Sequence, residues 1–480
     1  MAGPDVGLKK GALGIVGAAT MGAVMMSPAL ALYGNFGPMA KSAGNTTPLI
    51  FLLSLLVTLP TAICYAVISR EIPSSGSAYT WLWEAVSPPV GVWTGWMLGG
   101  FFLIVVFLQP LLFGIFFNDL ARFCGFPSGY ETFAISVAVS SIITSLLTYR
   151  GVQISEKSSL IDIIIQALIV AALGVTIVVV LAFAGDGFSE KLDFKPFLPS
   201  SSPTGFSGIS AAMIFGVLCF VGFGVISSMA EETRNPRKSI PRAIVLACVI
   251  VGLFWVVVAW AYATAIPTDK ILDSMEKDVN PVVPIAQKFW GVGEILVILT
   301  GLIAALGVYI ATVVGASRTL YAMGRDGSIP SLFGRLNNRH QVPWNALHLT
   351  FFLTFLFVLI PAYFAGITRT YEWWGRAVVF FAVVTYILVS IANPVFYLKY
   401  RRESFSIIWN GLAAVISLAV NAYLLYRAFF VECWKEDWYT GKSVVAFSVG
   451  WMVLGVVYTL FMKRRSPELF TRKAQRLRED

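Results

Sequence analysis

"GALGIVGAATMGAVMMSPALALYGNFGPMAKSAG" (residues 11–44) and "GFSGISAAMIFGVLCFVGFGVISSMAEETRNPRKSIPRAI" (residues 205–244) decide how this chain reads. Both are apolar enough to cross a bilayer, and both contain residues that interrupt a helix. Pro28 has no backbone donor, and its ring clashes with the turn before it. Gly22 weakens the same stretch six residues upstream. The uncharged run 11–40 also exceeds the roughly 20 residues that a straight crossing needs. The pattern predicts two half-helices, 12–20 and 27–40, joined by a non-helical link near 21–26. In the second stretch Gly222 and Gly224 share one turn, costing about 2 kcal/mol of helix propensity relative to alanine. Ser227 and Ser228 follow, and Glu231 and Glu232 open a charged loop. Taken alone, each feature reads equally well as a close packing face, since Gly14, Ala18 and Gly22 are four apart.

The rest of the chain has the same apolar character. Of 480 residues 57% are apolar and 13% charged, and the mean hydropathy is +0.77. Soluble domains carry roughly twice that share of charge, so most of this surface does not face water. Twelve stretches lack Asp, Glu, Lys and Arg: 11–40, 42–69, 85–118, 132–149, 163–185, 196–230, 243–268, 295–317, 340–368, 377–398, 404–426 and 443–462. Several are apolar all round, as lipid-facing helices are, and none alternates as barrel strands do. The expectation is an all-α polytopic membrane protein of twelve spans in a single domain over residues 1–480. Placing both termini in the cytosol puts 23 of the 35 Lys and Arg residues on the inner side, as the positive-inside tendency requires. The basic tail 463–480 then lies near anionic headgroups, and the charge of +9 needs no nucleic acid to explain it. Two histidines and five cysteines offer neither a metal site nor a disulfide framework. His340 and His348 sit too near the interface to serve a membrane enzyme as buried bases, and no Walker-type loop appears. The reading is of a non-enzyme with no cofactor.

The two interruptions fall in spans 1 and 6, five spans apart. Because five is odd, a second copy of a five-span unit enters the membrane from the opposite side. The prediction is a 5+5 inverted repeat, helices 1–5 over about 12–185 and helices 6–10 over about 206–398, with helices 11–12 (about 404–462) added. Interrupted helices at matching places in such halves point to a transporter's binding site. Backbone outside a helix leaves N–H and C=O groups free, which a membrane tolerates only facing protein or a watery cavity. A half-helix N-terminus attracts a carboxylate, and a half-helix C-terminus offers carbonyls to an ammonium group. A zwitterionic amino acid satisfies both.

Four motifs extend this reading. "REIPSSGSAYTWLWEAVSPPVGVWTGW" (70–96), "YRGVQISEKSSLID" (149–162), "FVGFGVISSMAEETRNPRKSIPRAI" (220–244) and "ASRTLYAMGRDGSIP" (316–330) resemble, in register, motifs of the amino acid–polyamine–organocation (APC) superfamily. That resemblance implies the LeuT-type fold and secondary transport of amino acids by alternating access, with substrate held at mid-membrane between helices 1 and 6. By position the site maps onto Ala19, Met21, Gly22, Ala23, Leu218, Val221 and Gly222. Phe220 and Phe223 flank the second break as gate candidates, and Tyr309 and Tyr386 are selectivity candidates. The chain departs from the family pattern in helix 1, where Met21-Gly22-Ala23 replaces Gly-Ser-Gly. Gly224 stands where an acidic residue is common. Gln166 aligns with the helix 5 lysine of some proton-coupled relatives, and Leu306 and Gly307 with a sodium-binding Ser/Thr pair. Gln166 and Asp162 are the ion-coupling candidates, for a proton or for sodium. Asp162 also reads as an interfacial partner of Lys157.

Other features read structurally. Gly91, Gly95 and Gly99 form a helix-packing face, and Gln109-Pro110 a kink. Trp81, Trp83, Trp93, Trp373, Trp374, Trp434 and Trp438 read as an interfacial belt. The alternatives to an amino acid permease are a transporter of polyamines or other organic amines and a non-transporting membrane sensor or partner subunit. The first calls for intramembrane acids facing the cavity, and the second for ligand binding without flux.

Overall fold

The computed structural model describes residues 14–74, 76–150, 156–183, 190–230, 233–325, 330–337 and 342–471. These residues form helices and no strand, because lipid cannot satisfy backbone groups left outside a helix or a closed barrel. In chain order the helices are α1 (Ile15–Met26), α2 (Pro28–Ala43), α3 (Thr47–Glu71), α4 (Ala78–Ala85), α5 (Pro88–Phe123), α6 (Tyr130–Tyr149) and α7 (Glu156–Phe183). Then follow α8 (Gly205–Phe220), α9 (Val225–Ser228), α10 (Pro236–Ala265), α11 (Thr268–Glu276), α12 (Val282–Trp290) and α13 (Glu294–Arg325). The chain continues through α14 (Trp344–Ala365), α15 (Ile367–Tyr400), α16 (Ala413–Leu424), α17 (Cys433–Lys435), α18 (Ser443–Arg465) and α19 (Pro467–Thr471). Residues 12–13 of the expected first half-helix, Glu231, Glu232, Asp326, Gly327 and residues 472–480 of the tail lie outside the described residues, as does the side chain of Met21.

Among the described residues, eleven helical runs are long and apolar enough to cross a membrane. The twelfth window, the first in the chain, is divided into α1 of 12 residues and α2 of 16, each too short alone. Burial separates an inner set from an outer one. Protein shields 83% of the apolar window of α5, 78% of the α8–α9 run and 72% of that of α15, but 28% of those of α7 and α18. The outer helices keep Leu168, Val175, Val457 and Leu460 exposed, as a lipid-facing surface requires.

Small residues set the close contacts. A Cβ on Gly91 would fall 2.8 Å from the Trp83 backbone, and one on Gly95 2.9 Å from Tyr79, so α4 folds back directly onto α5. Trp93 and Trp96 donate their indole N–H groups to Met452 O (3.1 Å) and Trp451 O (3.0 Å), docking α18 on the same helix. Only part of the tryptophan belt appears. Trp434 and Trp438 are exposed, but Trp81 and Trp374 are core residues whose N–H groups bond Ile72 O and Phe357 O. Proximity to a span end does not separate the two roles when a helix turns back into the bundle.

Polar side chains tie the last helices to the rest. Thr61 of α3, Ser390 of α15 and Ser417 and Asn421 of α16 bond one another at 2.7–2.9 Å, sequestered from lipid. Arg376 of α15 is 6% exposed. It donates to Glu436 Oε2 at 2.6 Å and Thr440 O at 3.0 Å, and its guanidinium lies 5.8 Å from the Phe215 ring. Removing the counter-charge strands a buried cation. Glu436→Gln is therefore expected to destabilise the protein by about 3 kcal/mol, read as a lower Tm in detergent. An unchanged Tm would show that the pair does not fasten α15 to the 433–442 segment.

Candidate functional site

The first helix breaks at one residue, Ser27, rather than over 21–26. Pro28 favours the first position of a helix, where its missing N–H costs nothing. A helix beginning there needs a cap, and Ser27 supplies it, its hydroxyl accepting from Leu30 N at 3.3 Å. Ser27 has φ 45° and ψ 97°, a left-handed backbone that non-glycine residues rarely adopt. Gly22 remains helical. A Cβ there would run into the Ile226 side chain, so its role is packing, the reading that its spacing from Gly14 and Ala18 also allows.

The break redirects backbone bonds. Ala29 N donates to Gln166 Oε1 (3.3 Å), and Pro28 has no N–H to give. The carbonyls of Val24, Met25 and Met26 thereby lose the donors that a continuous helix provides four residues on. In the sixth span the chain does not unwind. α8 ends at Phe220, and Val221–Gly224 tightens into a 3₁₀ turn before α9. Two glycines in one turn permit that tighter winding without forcing the chain out of helical geometry. A Cβ on Gly222 would lie 2.7 Å from Met25 C and Met26 N, both backbone atoms. The two discontinuities therefore touch, with Gly222 letting main chain meet main chain.

A cavity of about 70 Å³ lies at this crossing. Met25, Met26 and Ser27 line it from the first break, and Leu218, Val221 and Gly222 from the second. Asn35, Gln109 and Tyr371 add polar groups, and the described lining residues carry no charged side chain. Tyr371 OH donates to Asn35 Oδ1 at 3.2 Å, whereas Gln109 Oε1 is buried without a partner among the described residues. The volume is small beside the roughly 300–1,000 Å³ of typical ligand pockets. Two contacts involve chain neighbours of the lining residues. Glu372, next to Tyr371, is bonded through both oxygens by Lys41, at 3.0 and 2.9 Å. Phe223, next to Gly222, clusters with Tyr65 and Tyr386, with ring centroids 5.2–5.9 Å apart.

The sequence-derived residues divide accordingly. Leu218, Val221 and Gly222 line the cavity, while Ala19, Gly22 and Ala23 lie earlier on α1, away from it. The backbone of Met21 is part of α1 as well. Phe223 and Tyr386 meet in the aromatic cluster, whereas Phe220 packs edge-on to Trp255. Tyr309 bonds Ser141 at 3.2 Å and sits beside Phe351, behind the cavity-lining Val308. Gln166 and Asp162 act together. Ser27 Oγ donates to Gln166 Oε1 (2.8 Å), and Gln166 Nε2 donates to Asp162 Oδ2 (2.8 Å). A Cβ on Gly307 of α13 would lie 3.5 Å from that same carboxylate oxygen, and Asp162 Oδ1 is buried without a partner among the described residues. Asp162 thus faces α13 and, through Gln166, the break in helix 1. Sequence reasoning missed Ser27, Asn35, Gln109 and Tyr371. The available signals were a serine directly before an intramembrane proline and single amides inside apolar windows.

Known proteins are similar to this chain. The branched-chain amino acid permease BcaP of Bacillus subtilis is 23% identical over 90% of this chain and 88% of its own length. The low-affinity putrescine importer PlaP of Escherichia coli is 29% identical over 69% of this chain and 71% of its own. The methylthioribose transporter of Bacillus subtilis is 24% identical over 89% and 88%. A family model described as amino acid permease matches residues 14–464, and with eleven apolar helical runs among the described residues the chain is a multi-pass membrane protein of the amino acid permease family, within the APC superfamily.

Proposed function

We propose that the chain is a secondary transporter of neutral, apolar amino acids, bound in the cavity between the helix 1 break and the 3₁₀ turn of helix 6. The carrying observation is the lining, uncharged and largely apolar around two main-chain discontinuities. The carbonyls of Val24, Met25 and Met26 offer a partial negative charge to the ammonium group, with Gln109 Oε1 as a further acceptor. The first N–H groups of α2 offer a partial positive charge to the carboxylate, which then competes with Gln166 for Ala29 N. A diamine, bearing two cations and no carboxylate, finds no compensating acid among the described residues lining this space. PlaP and the methylthioribose transporter mark the other ligand classes that the same family accepts.

Counted as one crossing in two halves, α1–α2 completes twelve spans, arranged as the 5+5 repeat with both termini in the cytosol of a cell-membrane protein. Helices 1, 2, 6 and 7 rock against 3, 4, 5 and 8 in alternating access. The Lys41–Glu372 pair closes one side of the site and the Tyr65–Phe223–Tyr386 cluster the other. Asp162 is the proton-coupling group. Its second oxygen, without a partner among the described residues, has a place for a proton, and Gln166 passes its state to Ser27.

Purified protein in liposomes, tested against labelled amino acids and putrescine, is expected to take up apolar amino acids. Putrescine uptake alone would overturn the assignment, and ligand binding without flux would favour the sensor. Gly222→Ala is expected to abolish uptake because its Cβ meets backbone. Gly224→Ala, whose Cβ would meet the Tyr65 ring at an ordinary 3.4 Å, is expected to keep uptake within about twofold, the scale of a few tenths of a kcal/mol. Equal uptake by the two variants would remove Gly222 from the site. Asp162→Asn keeps an acceptor for Gln166 but cannot release a proton. Its uptake should no longer respond to an imposed pH gradient while substrate exchange continues. A retained pH response, or dependence on a sodium gradient in the wild type, would displace Asp162 from the coupling role.

A further inference from the structure

At about 70 Å³ the cavity between the two discontinuities is small, so its capacity depends on how far its lining side chains stand back. One of them rests on a glycine. A Cβ on Gly375 of α15 would lie 3.1 Å from Leu218 Cδ2, with Phe215 next at an ordinary 3.7 Å. Leu218 lines the cavity, as does Val378, one helical turn beyond Gly375. Gly375 is not among the described lining residues. Leu218 therefore touches both Gly375 and the open space. From Ala212 to Phe223 it is the one residue only partly buried. The backbone around Gly375 is held on both sides. Trp374 donates to Phe357 O at 3.0 Å, and Arg376 to Glu436 Oε2 and Thr440 O. A side chain at 375 must then be accommodated by Leu218, and the space open to Leu218 is the cavity.

We propose that Gly375 is a positioning residue for substrate selectivity. Lacking a side chain, it lets Leu218 lie back against α15 and so sets how long an apolar substrate side chain the cavity admits. The inference rests on the substrate site proposed above and deepens it. Nothing in the backbone calls for glycine here. Gly375 lies inside α15 without a left-handed φ, where alanine is the better helix former. Other glycines near the cavity have different tasks. Gly222 meets main-chain atoms, so a Cβ there blocks the crossing itself. Gly34 first meets the Tyr371 hydroxyl, at 2.8 Å, so it serves the Tyr371–Asn35 bond. Gly375 meets the end of one flexible apolar side chain, so a methyl group there changes the size of the space and leaves its polarity alone. Close-packed interiors respond to changes of one methylene, and in an apolar pocket one methylene separates substrates by about 10–200-fold.

The test uses the full-length protein in liposomes and compares kcat/KM for labelled alanine, valine and leucine. Gly375→Ala is expected to lower the leucine-to-alanine ratio about tenfold, with valine between. Shortening the displaced neighbour should reverse this, so Gly375→Ala/Leu218→Val is expected to recover most of the wild-type ratio. A residue that acts only on folding would lower all three substrates alike, and the second substitution would not rescue it. An unchanged ratio, or an equal unrescued loss for all three, would overturn the inference while leaving the substrate site in place. Absence of amino acid uptake by the wild type would overturn that site and the inference with it. If Gly375→Ala does not fold alone, the double variant is compared with Leu218→Val, where the added methyl should again lower the ratio. Equal ratios in those two proteins would overturn the inference, as would failure of the double variant to fold.

Discussion

The contact on which the molecule turns is between two stretches of main chain. Gly222 brings the sixth span against the backbone of Met25 and Met26, where any side chain would intrude. That approach is useful only because Pro28 has released the carbonyls beside it. Proline supplies the polar groups and glycine the access, and neither alone would place unpaired backbone at a helix crossing. The surrounding bundle maintains this arrangement. Ser27 and Gln166 occupy the N–H groups that the break exposes, and Trp255 fixes Pro28 O from α10 at 3.0 Å.

The proposed site, built from backbone, has a chemical bias. Partial charges at helix ends suit a ligand carrying one charge of each sign close together, because each end is met without importing a full charge into the membrane. Ionisable side chains are consequently displaced to the periphery. Asp162 reaches the break only through Gln166, Glu372 pairs with Lys41, and Arg376 faces the 433–442 segment. Each has a partner, as the desolvation cost of an intramembrane charge demands.

Much of this was readable from residue order. Uncharged windows locate the spans because lipid penalises charge whatever the tertiary packing, and eleven of the twelve survive as continuous helical runs. The location of the breaks was legible to within a turn, but their form was not. Pro28 places the interruption directly before itself, whereas Gly22 upstream is equally consistent with unwinding and with packing, and the neighbour Ile226 decides between them. The same ambiguity holds for aromatic side chains. Phe220 and Phe223 are three apart, yet one meets Trp255 and the other Tyr386, since the turn between them changes pitch. Tyr309 is directed to Ser141, a partner 168 residues away that no local pattern announces. Spacing within a helix fixes which face a residue occupies but not what occupies the facing surface.

That change of pitch has a geometric consequence. A 3₁₀ turn advances about 2.0 Å and 120° per residue, against about 1.5 Å and 100° in an α-helix. Over the four residues Val221–Gly224 the difference amounts to about 2 Å of length and 80° of rotation. Everything downstream is aimed by that offset, including Ser227, which meets Ser77 at 2.6 Å. Relaxing those four residues to α-helical winding would shorten the strut and swing Ser227 off its partner, a corkscrew motion that requires no hinge.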